Sequence, residues 1–288
     1  MSLTRTDRIA RLRALLVLGR VSNLPTVWSN CLAGWLLGDG GNLEKFPLLC
    51  LGATFLYVGG MFLNDAFDVQ FDRQHRAERP IPSGAIALAE VWAWGFGWLG
   101  LGLLGLLFLG KTTALIAVLL AGLIVVYDAV HKMIAFSPVL MAGCRFLLYL
   151  LAASIADAGV NGIAIWSAFA LAAYVVGLSY LARKESTKTA LRHWPSALLT
   201  VPLLLALVVN GRDYLIAAVL LSAILAAWIL WCLRATFWSV DRNVGRTVSG
   251  LLAGIVLVDL LAVGGEPLHV FLLLFGATLL FQRFVPAT

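Results

Sequence analysis

The chain of 288 residues has little charge and no long polar segment. Charged residues make up only 12% of it, whereas an average soluble domain has about 25%. No polar stretch exceeds about 25 residues, which leaves no room for a separate soluble domain. The four cysteines (31, 50, 144 and 232) stand singly in apolar runs, and the four histidines are equally dispersed. This scatter excludes paired metal-ligand spacing and predicts buried free thiols.

Apolar residues, in contrast, make up 61% of the chain and recur in runs of roughly 17 to 22. Runs of this length can cross a hydrocarbon core about 30 Å thick. We therefore predict an all-α polytopic membrane protein that forms a single domain over residues 1–288. Ten spans are predicted, with nine or eleven still possible: 22–38, 46–63, 89–109, 112–128, 136–156, 162–182, 195–210, 213–233, 247–264 and 267–283.

The basic residues predict the orientation. When alternate loops are assigned to opposite sides, 18 of the 21 lysines and arginines fall on one side. The positive-inside rule places this side, and both termini, in the cytoplasm, and we expect a bacterial plasma membrane. The longer polar connections 64–88, 129–137, 183–194 and 234–246 lie on the same side. Function is therefore expected at a cytoplasmic mouth, and the positive charge indicates anionic lipid or substrate and not nucleic acid.

An acidic motif stands at the end of the second predicted span, within "FLNDAFDVQFDRQHRAERPIPSG" at 62–84. Asn64, Asp68 and Asp72 are spaced i, i+4, i+8, so they share one face of a continuing helix, with Asp65 beside them. Three carboxylates this close repel one another, and Mg²⁺ would remove that repulsion while binding phosphate oxygens. The arginines that follow suit phosphate. Ordinary solvated loop charges are the alternative interpretation.

Two segments resemble one known family. Asn-Asp-x-x-Asp-x-x-x-Asp at 64–72, followed by Arg-Pro-Ile-Pro-Ser-Gly at 79–84, is similar to the first signature of the UbiA superfamily of intramembrane prenyltransferases. Tyr127, His131 and Lys132 resemble its Tyr-x-x-x-Lys-Arg element, with His in the Lys position. The resemblance implies a bundle of nine transmembrane helices over about 22–264, with a central cavity opening at the cytoplasmic side. Residues 267–283 would be an additional C-terminal span.

The resemblance also implies transfer of a prenyl group from an isoprenoid diphosphate to a lipophilic, usually aromatic, acceptor. It implies catalytic roles for Asp65, Asp68, Asp72, Tyr127 and Lys132. Mg²⁺, the implied cofactor, would be bound by Asn64, Asp68, Asp72 and Glu185. Candidates for binding the diphosphate are Asn64, Arg73, Arg79, Lys132, Arg145, Arg183 and Lys184.

Further polar residues lie inside or beside the spans. Arg20, Asn23 and Asn30 are candidates for the cavity wall, with hydrogen bonding between helices as the alternative. Arg145 is a cation near the start of the fifth span, and it needs a diphosphate or a carboxylate as its partner. Asp128 and Asp259 are equally compatible with structural roles.

The chain departs from the family after the sixth span, where members carry a second acidic element. Here Glu185 is the one acidic residue, among Arg183, Lys184, Lys188 and Arg192. Either these cations neutralise the diphosphate directly, or the transfer chemistry is lost or altered. The alternatives are therefore a terpene cyclase on the same fold and a non-catalytic isoprenoid-binding or transport-accessory protein.

Overall fold

The computed structural model describes residues 5–183, 194–209, 215–239 and 242–287, and these are helical apart from short connections. The helices of the first half are α1 (Arg5–Leu18), a 3₁₀ turn (Val21–Asn23), α2 (Leu24–Leu37), α3 (Phe46–Phe67), α4 (Val69–His75), α5 (Leu88–Leu107) and α6 (Lys111–Val130). Those of the second half are α7 (Ser137–Ala153), α8 (Gly162–Ala182), α9 (Trp194–Leu198), α10 (Val201–Val209), α11 (Leu215–Phe237), α12 (Val244–Ala262) and α13 (Leu268–Phe281).

Six of these helices are long and apolar enough to cross a membrane: α3, α5, α6, α8, α11 and α12. Shorter apolar helices occupy Ser137–Ala153, Trp194–Val208 and Leu268–Phe281. The protein is thus an integral membrane protein, and each predicted span contains a helix. The seventh span is broken between α9 and α10, because Pro202 has no N–H to bond Leu198 and its ring obstructs a continuous helix.

Close contact between α3 and α5 sets the position of the acidic motif. A Cβ added at Gly59 would lie 2.8 Å from the carbonyl oxygen of Gly95, and one at Gly102 would lie 2.7 Å from that of Gly52. These glycines therefore let the two backbones approach more closely than any side chain would permit. The close contact between α3 and α5 fixes the position of the end of α3, where the motif begins.

The loop that follows α4 is held by a small apolar cluster at the same end of the bundle. Ile81 and Ile86 are buried against Ala14 and Leu18 of α1 and against Phe62 of α3. Burial of these side chains excludes water and folds the loop back over the end of α3. As a result, Arg79 of the loop faces Asp65 and Asp72 of the motif.

Candidate active site

The acidic motif lies at the junction of α3 and α4. The backbone N–H of Asp68 donates to the carbonyl of Asn64 at 3.0 Å, and that of Asp72 donates to the carbonyl of Asp68 at 2.9 Å. Helical bonding therefore continues across the junction and keeps the i, i+4, i+8 side chains on one face. All four polar residues of the motif are buried, and Asp72 is only 2% exposed.

Two arginines from different segments neutralise Asp65. Nη1 of Arg79 lies 3.0 Å from Oδ1 of Asp65 and 3.2 Å from Oδ2 of Asp72, so it bridges two carboxylates. Nη2 of Arg20 lies 3.2 Å from Oδ1 of Asp65 and donates to Oδ1 of Asn64 at 3.3 Å. Arg20, which precedes the 3₁₀ turn, is thus part of the acidic cluster.

Asp68 is paired with the end of α6. Nζ of Lys132 lies 3.1 Å from Oδ2 of Asp68, and Nε2 of His131 lies 3.1 Å from Oδ1. Burial by itself would raise the pKa of Asp68, but the hydrogen bonds and charges of these two neighbours outweigh it and hold the pKa below its usual range. The carboxylate is therefore kept ionised. The ammonium group also lies over the ring of Phe71, 4.1 Å from its centroid.

Two carboxylate oxygens of the cluster have no hydrogen-bond partner among the residues that the structure describes. They are Oδ1 of Asp72 and Oδ2 of Asp128, both buried. The other oxygen of Asp128 accepts from Nδ2 of Asn64 at 3.1 Å, which places Asp128 next to the motif. Buried polar atoms without partners are costly and rare, so these two oxygens indicate positions for a ligand.

The donor set fits Mg²⁺ when the metal arrives with phosphate. Within the parts of the chain that the structure describes, no three His, Cys, Asp or Glu side chains lie close enough to bind a metal alone. Mg²⁺ sites commonly use one or two carboxylates and fill the remaining positions with substrate phosphates and water. The unpaired oxygen of Asp72 and the neighbouring oxygens of Asp68 and Asn64 suit such a shared site.

A cavity of about 90 Å³ lies beside the motif between α2, α3, α6 and α7. Its polar wall is formed by Tyr57, Tyr127, Asp128 and Arg145, and aliphatic side chains form the rest. Ligand pockets usually measure about 300–1,000 Å³, so a long prenyl chain has to displace wall side chains to fit. The ring of Tyr127 stacks on that of His131 with centroids 5.1 Å apart, so it lies between the cavity and the Asp68 pair.

Arg145 lies on the cavity wall and does not contact the acidic cluster. Its guanidinium donates to Oδ1 of Asn30 at 2.6 Å and to the carbonyl and Oγ1 of Thr26 at 3.2 and 3.0 Å. Among the described residues its hydrogen-bond partners are therefore neutral oxygens and not the predicted carboxylate, and the diphosphate partner stays a prediction. The charge of Arg145 thus remains available to a molecule in the cavity.

Asn30 connects Arg145 to a buried aspartate at the centre of the bundle. Its amide donates to both carboxylate oxygens of Asp259, at 3.0 and 2.8 Å, and Tyr149 donates to one of them at 2.6 Å. Ser29 donates to the other oxygen. Because these groups come from α2, α7 and α12, the network ties three helices together. Asp259 therefore has a structural role, one of the alternatives that its sequence position left open.

The remaining predicted residues are distributed as follows. Arg73 is exposed and makes no ion pair within the described ranges. Arg183 donates to the carbonyls of Ile134 and Ala135 and to Oγ of Ser137. These hydrogen bonds hold the connection between α6 and α7 against the end of α8. Asn23 donates to the carbonyl of Ala287. Lys184 and Glu185 lie outside the described residues.

Sequence reasoning left two members of the cluster out of the site. His131 was recognised in the second motif but was given no role, although its ring bonds Asp68. Asp128 was treated as a possible structural residue, although it bonds Asn64. The available signal was their position in the last turn of α6, next to Tyr127 and Lys132. A shared helix end predicts proximity to one another, but not to α3.

The chain is similar in sequence to known membrane enzymes. A model of the UbiA prenyltransferase family matches residues 24–248. The chain is 27% identical over 114 residues to the digeranylgeranylglyceryl phosphate synthase of Metallosphaera sedula, which covers 39% of this chain and 40% of that protein. It is 35% identical over 118 residues to the enzyme of the same name from Ignicoccus hospitalis, with 41% and 39% covered. The matches thus span about two fifths of these curated relatives.

Solved structures show the same fold. The UbiA homolog from Archaeoglobus fulgidus bound to GPP and Mg²⁺ aligns with a TM-score of 0.65 at 18% identity, covering 92% of this chain and 99% of that one. The apo UbiA homolog from Aeropyrum pernix K1 aligns with a TM-score of 0.66 at 16% identity, with 84% and 96% covered. The helical bundle described above is therefore UbiA-like.

Proposed function

The chain belongs to the UbiA prenyltransferase family, and from that premise we propose that it transfers a prenyl group from an isoprenoid diphosphate to a lipophilic acceptor within the membrane. The observation that carries the proposal is the buried cluster at the α3–α4 junction. Three aspartates and an asparagine there meet Arg20, Arg79 and Lys132 in a charge-balanced arrangement. Such a cluster provides both metal ligands and phosphate ligands at one mouth of the bundle.

Mg²⁺ would be bound by Asp68, Asp72 and Asn64, and when bound it would neutralise the charge that develops on the departing diphosphate. The chain's own cations would then release their carboxylates and bind phosphate oxygens. Arg79 is well placed for this exchange, because it already spans Asp65 and Asp72. Its planar guanidinium suits bidentate binding of phosphate.

The C–O bond of the donor breaks as the diphosphate takes the electron pair, and the acceptor nucleophile forms the new bond to the allylic carbon as its proton passes to the departing diphosphate. Tyr127 and Tyr57 present aromatic faces in the neighbouring cavity, where they can stabilise positive charge on that carbon. The aliphatic walls of α2, α3, α6 and α7 keep water away from it. Lys132 and His131 hold Asp68 ionised for the metal.

The curated relatives and the cavity wall both bear on the class of acceptor. The names of the curated relatives specify a glyceryl phosphate that carries geranylgeranyl groups, not an aromatic ring. Arg145 on the cavity wall supports an acceptor with an anionic group, whether a phosphate or the carboxylate of an aromatic acid. We therefore extend the predicted acceptor class from aromatic compounds to lipid phosphates.

The test is incubation of the purified protein with Mg²⁺ and geranylgeranyl diphosphate, with and without acceptors. The panel contains geranylgeranylglyceryl phosphate, its dephosphorylated analogue and 4-hydroxybenzoate. Diphosphate release that requires an acceptor supports transfer, whereas release without one, together with a hydrocarbon product, supports a cyclase. Absence of release under every condition, unchanged by Asp68→Asn, would leave a non-catalytic isoprenoid-binding protein.

A further inference from the structure

The segment that follows α13 returns into the bundle and does not extend away from it. Val285 is 6% exposed and Ala287 is 4% exposed, whereas Phe284 between them and the helix is 69% exposed. Gln282 anchors the start of this segment by donating to the carbonyl of Ser249 on α12 at 3.1 Å. We call residues 282–287 the C-terminal strap.

The strap is hydrogen-bonded to the 3₁₀ turn at the start of α2. Nδ2 of Asn23 donates to the carbonyl of Ala287 at 2.9 Å, and Oγ of Ser22 donates to that of Pro286 at 3.4 Å. Both donors are buried, so water cannot replace these bonds readily. These two hydrogen bonds therefore hold the strap against the 3₁₀ turn.

Arg20, the residue just before the 3₁₀ turn, has a backbone conformation that depends on the turn. The backbone of Arg20 has φ 41° and ψ 47°, the left-handed region that residues other than glycine seldom adopt. A conformation of this kind persists only where the surroundings determine it. Here the carbonyl of Arg20 accepts from the backbone N–H of Asn23 at 3.0 Å and from the hydroxyl of Tyr57 at 3.3 Å.

The side chain of Arg20 completes the connection to the acidic cluster, where it bonds Asp65 and Asn64. An unbroken series of contacts thus runs from the strap through Asn23 and Arg20 to the diphosphate site. Both the strap and Arg20–Asn23 lie outside the residues 24–248 that match the family model.

We propose that the C-terminal strap positions Arg20 for binding the donor diphosphate, and that Asn23 is the positioning residue through which it acts. The proposal rests on the proposed function, because it assigns Arg20 to the diphosphate of that reaction. The buried carbonyls of the strap fix the turn, and the turn fixes the left-handed backbone that directs the guanidinium toward Asp65. Loosening the strap should therefore weaken donor binding while the reacting groups remain in place.

The experiment measures binding of geranylgeranyl S-thiolodiphosphate, an unreactive donor analogue, to the full-length protein in Mg²⁺. Asn23→Asp removes the Nδ2 donor and sets a carboxylate against the carbonyl of Ala287. Val285→Asp disturbs the same contact from the strap side. We expect each to raise the Kd about tenfold, which is the loss of roughly one hydrogen bond to a charged group. Phe284→Ala, in the same segment but exposed, is the matched control and should leave the Kd unchanged.

A double-mutant cycle separates positioning from general destabilisation. If the strap acts through Arg20, Asn23→Asp adds no further loss in an Arg20→Ala background, and kcat of the single variant stays near that of the unaltered protein. Additive losses, or an unchanged Kd in both single variants with melting temperature preserved, would overturn the strap proposal alone. Failure of the unaltered protein to bind the analogue would overturn the proposed function together with it.

Discussion

Arg79 and Arg73 belong to the same basic segment, but the structure separates their roles. Both follow the acidic motif and both were expected to bind diphosphate from their sequence position. Arg79 bridges Asp65 and Asp72, whereas Arg73 is exposed and contacts neither. We expect Arg79→Met to weaken donor binding strongly and Arg73→Met to do so only slightly.

The magnitudes follow from the contacts. A hydrogen bond to a charged group contributes about 1.5–3 kcal/mol, so the loss of Arg79 should raise the Kd for donor analogue roughly 10- to 150-fold. An exposed cation contributes about 0–1 kcal/mol, so Arg73→Met should change the Kd by less than about fivefold. The assay is equilibrium binding of labelled geranylgeranyl S-thiolodiphosphate in Mg²⁺, with melting temperature recorded for each variant.

Arg79→Met could also lower the affinity by destabilising the fold, and a double variant controls for this. Removing Arg79 leaves Asp72 buried without its cation, which destabilises the fold. The double variant Asp72→Asn with Arg79→Met removes that uncompensated charge and should recover the melting temperature but not the affinity. Equal losses in Arg73→Met and Arg79→Met, or recovery of affinity in the double variant, would refute the assignment.

Three further outcomes are expected. Asp68→Asn, or chelation of Mg²⁺ with EDTA, should lower product formation at least 100-fold in a transfer assay with geranylgeranyl diphosphate, since the metal loses a charged ligand. In EDTA, the stabilisation that His131 and Lys132 give to the ionised Asp68 should be complete above about pH 4 and lost as the pH falls through the lowered folded pKa. Lys132→Met removes part of this lowering and should move the protonation of Asp68 to higher pH in an acid titration followed by tryptophan fluorescence, and an unmoved transition would contradict the expectation. Tyr149→Phe should cost about 0.6–1.7 kcal/mol in detergent unfolding, as it deletes one donor to Asp259, and no change would contradict the network.

The helices and the acidic face of α3 and α4 could be predicted because both depend only on residues that are close together in the sequence. Apolar run length determined the spans, and the i, i+4, i+8 spacing of Asn64, Asp68 and Asp72 required only helical continuation. The break before Pro202 is also a local effect, although the length of the run concealed it. These features needed no knowledge of which helices touch.

The partners of the site could not be predicted, because they come from segments far apart in the chain. Arg20 reaches Asp65 across 45 residues, and Asn30 reaches Asp259 across 229. Arg145 illustrates the consequence: a buried cation predicts a partner, but its neighbours proved to be the oxygens of Thr26 and Asn30. Only helix packing decides such choices.

The pairing of every aspartate in the motif has a consequence for the order in which ligands arrive. With Arg20, Arg79 and Lys132 opposite Asp65, Asp68 and Asp72, each carboxylate of the motif is paired with a cation in the resting protein. A free divalent ion must compete with cations that are already in place, so it gains little by binding alone. A metal that arrives with a diphosphate offers those displaced cations a new anion. We therefore expect the cluster to bind metal and donor as one complex and to leave free divalent ions in solution.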